Sequence, residues 1–271
     1  MASDQSFGDI GVDIGDDFVA SVEIHRPPHN YFDAELIRDL ATAFEALDDD
    51  TSCRAIALCS EGKNFCAGAQ LGGGPRSERS TISEEESPKS ASPPRHLYDE
   101  AVRLFSTRTP VVAAIQGAAI GGGFGLALMP DFRVAAPEAR FSANFARLGF
   151  HHGFGLSVTL PRLVGPQAAA ELLYTGRRIK GEDAFAMGMC DRLVPAERLR
   201  DEASTLAAEI AGSAPLAVAS IRETLRAGLA AEIRAATDRE KAEQDRLQKT
   251  TDFREGTKAM AERRAPEFTG R

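Results

Sequence analysis

The segment Gln116-Gly117-Ala118-Ala119-Ile120-Gly121-Gly122-Gly123-Phe124-Gly125-Leu126-Ala127-Leu128 constrains this chain more than any other. It follows Pro110 and the apolar run Val111–Ile115, which reads as a buried strand. Residues without bulk let a ligand or another backbone approach closely. A triple glycine that opens a helix also leaves N–H groups unpaired and partially positive. Two such groups converging on one point make an oxyanion hole. Tight helix–strand packing uses the same residue types, and the pattern alone does not separate the two. A second segment of the same character, Asn64-Phe65-Cys66-Ala67-Gly68-Ala69-Gln70, follows another short buried strand at 54–60.

Around these segments the chain alternates strands and helices. Residues 10–14 and 18–24 alternate apolar and polar side chains about Gly15-Asp16-Asp17, which predicts a β-hairpin that ends at Pro27-Pro28. Residues 33–48 place Ile37, Leu40, Ala41, Phe44 and Leu47 on one helical face behind Asp33, a side chain suited to the N-cap. Further helices are expected at 96–107 and 122–128, with a strand at 132–135. Strand, helix, strand, helix indicates an α/β fold. From 154 onward the pattern is mostly helical, at 154–163, 166–173, 180–187, 198–212, 215–228 and 232–248, with a short strand at 191–194. Long helices rich in alanine and charge need a cover for their apolar stripe, so this part predicts an oligomer interface. The expected division is a core over 1–195 and a helical oligomerisation region over 196–271. Residues 72–95 are rich in serine, proline and glycine and read as a surface loop, either a lid or a passive insertion.

Composition removes several classes. A formal charge of −8 over 271 residues argues against a nucleic-acid partner. The four cysteines, Cys53, Cys59, Cys66 and Cys190, contain no C-x-x-C pair, which fits a reducing cytoplasm better than a disulfide framework or a zinc site. No apolar run is long enough to span a bilayer, and the first residues lack a basic-then-apolar leader. The expectation is a cytoplasmic globular protein without a membrane partner.

The two small-residue segments resemble those of the crotonase (enoyl-CoA hydratase/isomerase) family. The resemblance includes Ile24-His25-Arg26-Pro27, Phe65-Cys66-Ala67-Gly68-Ala69, and Ala119-Ile120-Gly121-Gly122-Gly123 followed by Asp131. It continues through Leu160-Pro161-Arg162-Leu163-Val164-Gly165, Leu173-Tyr174-Thr175-Gly176-Arg177, Ala184-Phe185-Ala186-Met187-Gly188 and Arg254-Glu255-Gly256. This resemblance implies a crotonase-like α/β spiral of ββα units with a helical C-terminal region that assembles trimers or hexamers. It implies an acyl-CoA thioester as ligand, with coenzyme A arriving as part of the substrate and no permanently bound cofactor. By the same resemblance the backbone N–H groups of Ala67 and Gly122 hold the thioester oxygen, and Ala67, Gly68, Ala69 and Gln70 lie along the coenzyme.

The chain departs from the family's hydratases at both catalytic glutamates. Gly125 and Phe145 stand at those places, Gln70 replaces an aspartate, and Gly153 stands where dienoyl isomerases and dehalogenases carry an aspartate. Hydration needs a polarised water and a proton donor, and neither glycine nor phenylalanine supplies one. His151 and His152 replace part of a turn that usually reads G-x-x-P-G-x-G. A histidine titrates near neutrality, so one of them is a candidate acid–base group; the plainer reading is a loop histidine bonded to backbone. Cys66 reads as a buried structural thiol, because no histidine lies near it in sequence. His25, His29 and His96 lack metal-site spacing, so no metal is expected. Arg26, Arg76, Arg79 and Lys89 are cations that could meet the coenzyme phosphates, though each also fits a solvated surface charge.

Three function classes remain. The first is an enzyme that stabilises a thioester enolate, by decarboxylation, by isomerisation or C–C hydrolysis with a histidine base, or by hydration with a rewired acid–base pair. The second is an acyl-CoA-binding protein without chemistry. The third, a nucleic-acid or structural scaffold, has no basic stripe behind it.

Overall fold

The computed structural model describes residues 5–69 and 96–271. Gln70, Arg76, Arg79, Lys89 and the expected loop at 72–95 lie outside the described residues.

The strands are β1 (Gln5–Phe7), β2 (Ile10–Ile14), β3 (Val19–Ile24), β4 (Ala55–Ser60), β5 (Val111–Ile115), β6 (Ala118–Ile120), β7 (Phe132–Ala135), β8 (Arg140–Ser142), β9 (Ile179–Lys180) and β10 (Arg192–Leu193). Seven form one sheet in the order β1-β2-β3-β4-β5-β7-β10. β1, β2 and β3 are antiparallel, and every later pairing in this sheet is parallel. The predicted hairpin is present, with Gly15 N–H donating to Val19 O and Phe18 N–H to Gly15 O, each 3.0 Å. All of β4 is buried, as a parallel strand covered on both faces must be.

Alternation along the strands sorts two cores. Val22, Ile24, Ile56, Leu58, Ala113 and Ile115 face α1 (Ala34–Asp49) and α2 (Leu97–Phe105). Fully burying Ile56 or Leu58 stabilises the fold by about 1.5–3 kcal/mol each. Val19, Ala55, Ala57, Val112, Ala114 and Val134 face the other way, against Leu199, Ala203, Ala207 and Ala211. Those four residues form the stripe of the helix Leu199–Ala211, and its alanines let it lie close to the sheet. α1 starts as expected: the Asp33 carboxylate accepts the Leu36 N–H at 2.9 Å.

The other helices are α3 (Gly122–Leu128), α4 (Leu156–Thr175), α5 (Gly181–Ala186), α6 (Leu199–Ala211), α7 (Pro215–Leu225), α8 (Leu229–Leu247) and α9 (Thr251–Ala261). The two helices expected at 154–163 and 166–173 are one element broken at Gly165, whose φ of 78° and ψ of 161° are not helical. α9 was not expected. The Thr250 hydroxyl starts it by accepting the Phe253 N–H at 3.2 Å. A second sheet, β6-β8-β9, also left no readable alternation, because its strands are two or three residues long. Within 196–271, α6 packs on the main sheet and α8 on α2.

Candidate active site

The two small-residue segments meet through backbone. Cys66 forms a parallel bridge with Ala119. Cys66 N–H donates to Ala118 O at 2.9 Å, and Ile120 N–H to Cys66 O at 3.0 Å. Gly121 turns the chain with a φ of 58°, left-handed backbone that a side chain disfavours, and α3 begins at Gly122. A Cβ on Gly123 would lie 2.2 Å from Cys66 O, and one on Gly122 would lie 2.0 Å from the tip of the Phe32 ring. The triple glycine packs tightly at one position and leaves an unpaired donor at another. Gly123 is a packing glycine, whereas the N–H of Gly122 has no hydrogen-bond partner among the described residues.

The other expected donor needs correction. The N–H of Ala67 donates to His29 O at 2.9 Å and is not available to a ligand in this structure. The chain then turns at Gly68 with a φ of 81°, and a Cβ there would lie 3.9 Å from Gly122 N and 2.6 Å from Ile120 O. Next in the chain comes Ala69, whose N–H is unpartnered among the described residues. The free pair flanking this turn is Gly122 with Ala69.

Arg26 also differs from expectation. Its side chain is only 6% exposed, so it is no solvated surface charge. Nε pairs with Asp9 at 2.5 Å and Nη1 with Asp33 at 2.9 Å, which ties the guanidinium to the fold rather than to a phosphate. The Cys66 thiol is fully buried, and that burial pushes it up to about 12, so it is no nucleophile.

Aromatic rings crowd both positions, Gly125 and Phe145, at which the family resemblance places glutamates. A Cβ on Gly125 would lie 2.7 Å from Phe154 Cβ. Phe154 is buried and packs edge-on to Phe32, with ring centroids 5.8 Å apart. Phe145 is buried too. It packs against Phe150 at 5.3 Å, which in turn meets Phe253 of α9 at 5.2 Å. The ring tip of Phe145 lies 3.8 Å from where a Cβ on Gly121 would be, so it borders the glycine turn. Asn144 Oδ1, at 3.3 Å from the same point, puts a polar group there that the sequence did not single out.

The histidine pair separates into two roles. Their rings stack with centroids 4.2 Å apart. His151 Nδ1 is bonded at 2.8 Å to the carbonyl of His152, the backbone contact expected of a loop histidine. His152 Nε2 lies 2.7 Å from the Ser157 hydroxyl, which donates to Glu240 Oε1 at 2.7 Å. Glu240, on α8, is fully buried and also accepts the N–H groups of Gly155 at 2.9 Å and Ser157 at 3.3 Å, capping α4 from another helix. Burial pushes its carboxyl up; the Gly155 and Ser157 donors oppose that. Burial, helped by the charge of His151, lowers His152 to about 4, so it is neutral at physiological pH.

Sequence reading missed Glu240, Ser157, Tyr98 and Gln244. Tyr98 O–H donates to Gln244 Oε1 at 2.8 Å, and Gln244 Nε2 donates to His151 O at 3.0 Å, so α2 and α8 clamp the histidine turn. A signal existed: Leu229, Ile233, Thr237, Glu240 and Gln244 fall at helical spacing, a buried stripe that turns polar along its length. Asp131 is structural. It accepts Val111 N–H at 2.9 Å, Arg222 Nε at 2.9 Å and Arg226 Nη1 at 2.8 Å, tying the strand before the glycine turn to α7. Among the described residues no group of three or more His, Cys, Asp or Glu side chains could hold a metal ion.

Comparison with known proteins gives this geometry a family. Residues 15–271 match the enoyl-CoA hydratase/isomerase family. A carnitinyl-CoA dehydratase of Proteus mirabilis is 34% identical over 258 residues, covering 93% of this chain and 95% of that protein. A probable enoyl-CoA hydratase of Bacillus subtilis is 31% identical, covering 94% of this chain and 96% of that one. The crystal structure of an enoyl-CoA hydratase/isomerase from Pseudoalteromonas atlantica superposes with a TM-score of 0.84 at 28% identity, covering 96% of this chain and all of that one. The chain is an enzyme of lyase or isomerase type that belongs to the enoyl-CoA hydratase/isomerase family of the crotonase superfamily.

Proposed function

We propose that this enzyme binds an acyl-CoA thioester, holds its oxygen with the N–H groups of Gly122 and Ala69, and moves a proton at the α-carbon with a histidine rather than a glutamate. The observation that carries this reading is the Phe154 side chain against Gly125. It leaves no room for a carboxylate at the first glutamate place, while the glycine turn keeps its free N–H groups. Donors fixed in place strengthen their bonds as the thioester oxygen gains charge, each worth roughly 2.7–4 kcal/mol where measured in a hydrolase. Proton transfer to a positioned side chain adds about 10²–10⁴-fold. The relatives named for carnitinyl-CoA dehydration and enoyl-CoA hydration support a substrate of this class.

A second reading has its own observation. Phe145, Phe150 and Phe253 make an apolar wall at the other glutamate place. Such a wall suits loss of CO₂ from a malonyl-type thioester, where desolvating the carboxylate generates the enolate without a base. The exposed Tyr174, Leu216, Ile221 and Leu225 support assembly into a homotrimer or hexamer.

Mass spectrometry of an acyl-CoA panel incubated in heavy water tests both readings. Deuterium at the α-carbon, or gain or loss of water, supports proton transfer. Loss of CO₂ from the malonyl-type thioester supports the second reading. Saturable binding with no mass change in any thioester contradicts both and leaves a binding protein.

A further inference from the structure

We propose that Ser157 and Glu240 are positioning residues for His152: they hold its ring with the proton on Nε2, so that Nδ1 is the bare nitrogen offered to the reacting thioester. This deepens the proposed function and, for its catalytic part, rests on that reading.

The donor count carries the assignment. A serine hydroxyl has one proton, and that of Ser157 points to Glu240 Oε1 at 2.7 Å. With Glu240 ionised, the short 2.7 Å contact between Ser157 Oγ and His152 Nε2 takes its proton from the histidine. In a neutral imidazole one nitrogen then carries the hydrogen and the other, Nδ1, a lone pair. Glu240 is held as the acceptor by the two backbone N–H groups at the start of α4.

The turn itself is rigid where it matters. A Cβ on Gly153 would lie 1.9 Å from the Tyr98 hydroxyl oxygen and 2.7 Å from Gln244 Nε2, so α2 and α8 pin the backbone directly after His152. The next residue, Phe154, packs on Phe32 and Gly125, which connects the turn to α3. His151 Nδ1 meets only the backbone of its own turn, whereas the His152 ring is tied through Ser157 to the buried carboxylate of Glu240.

In the step this arrangement supports, Nδ1 takes the α-proton and the C–H electron pair moves onto the thioester oxygen as the enolate. The imidazolium keeps both protons. Its charge faces the Glu240 carboxylate, 3.9 Å from Nε2, through the Ser157 hydroxyl. Returning the Nδ1 proton, or a deuteron acquired from solvent, to carbon closes the cycle. The ionisable groups around His152 are His151 in its own turn and Glu240 from α8; Tyr98 of α2 and Glu243 of α8 act on Glu240 and His151 in turn.

Two measurements test this on the full chain. Ring-¹⁵N NMR of histidine-labelled protein reads the tautomer of His152 among five histidines. Wild type is expected to carry the proton on Nε2, and Ser157→Ala to lose that single tautomer. Deuterium incorporation into butyryl-CoA is expected to fall at least tenfold in His152→Ala and severalfold in Ser157→Ala, with the Ser157→Ala loss shrinking towards low pH because the lost acceptor also favours the imidazolium, a dependence that a merely structural change would not show. Ser157→Ala keeps both backbone bonds to Glu240 and so folds where Glu240→Gln fails. A wild-type proton on Nδ1, or unchanged exchange in His152→Ala, overturns the proposal. If wild type exchanges nothing, the enolate reading fails, and the positioning assignment stands or falls on the tautomer.

Discussion

The Cβ of Phe154 lies 2.7 Å from the point where a side chain on Gly125 would begin. The two residues share one volume, and the chain has given it to the aromatic ring. This contact is made by atoms next to the backbone, so it cannot be relieved by swinging a flexible side chain. Gly125→Ala is expected to cost about 1–3 kcal/mol as overpacking. Phe154→Ala opens a cavity at a cost of about 3–5 kcal/mol. The double variant is expected to be more stable than the sum of the two, by about 0.5–3 kcal/mol of coupling. Denaturant unfolding of the four proteins checks this, and Gly125→Glu alone is expected not to create hydratase activity.

His152 gives a pH dependence with a definite sign. Its conjugate acid is lowered from 6.5 to about 4 by burial and by His151. The unfolded chain binds a proton at the higher value, so the folded state loses stability as pH falls from about 6.5 to 4. The full loss is on the order of 3 kcal/mol. Glu240 works in the other direction: its carboxyl is raised by burial, so the folded state gains relative stability as it protonates. Replacing His152 with Asn removes the first effect only. The difference in urea midpoint between pH 6.5 and 4.5 is expected to shrink in that variant.

Asp131 is expected to be among the costliest single changes. It faces Arg222 and Arg226, both mostly buried, and Arg222 Nη2 and Arg226 Nε already lack a partner. Burial is what lowers Arg226, with the nearby Arg222 opposing its charge as well. Asp131→Asn leaves two guanidinium groups uncompensated, at a cost of about 3–5 kcal/mol. Thermal unfolding checks this, and a second change of Arg226→Met is expected to recover part of the loss.

Tyr98 tests the clamp on the histidine turn. Removing its hydroxyl in Tyr98→Phe leaves the buried Gln244 Oε1 without its donor, which costs about 1–3 kcal/mol. Adding Gln244→Leu removes the orphaned acceptor and is expected to restore much of the stability. It also frees the carbonyl of His151, so amide exchange in the turn is expected to rise even where stability returns.

The fold was legible where side-chain periodicity is long enough to read. The β2–β3 hairpin, α1 with its Asp33 cap and the buried β4 were all visible, because each repeats a pattern over five residues or more. β6, β8 and β9 were not, since two or three residues carry no period. The glycine turn was legible as a place but not as a set of donors. Whether an N–H is free depends on a carbonyl elsewhere, and that of His29, which engages Ala67, comes from a distant loop. Arg26 misled for the same reason: a charge reads as exposed until Asp9 and Asp33 are brought to it. Glu240 lies eighty-three residues from Ser157 in the chain, and only folding brings them together.

In the proposed function, the N–H groups of Gly122 and Ala69 polarise the oxygen of a bound thioester. Infrared difference spectroscopy of butyryl-CoA carrying a ¹³C label at the thioester carbonyl measures this directly. The labelled stretch is expected to move to lower frequency on binding, as two backbone N–H groups draw charge onto the oxygen. A saturated complex whose carbonyl stretch is unchanged from that of the free thioester would contradict it.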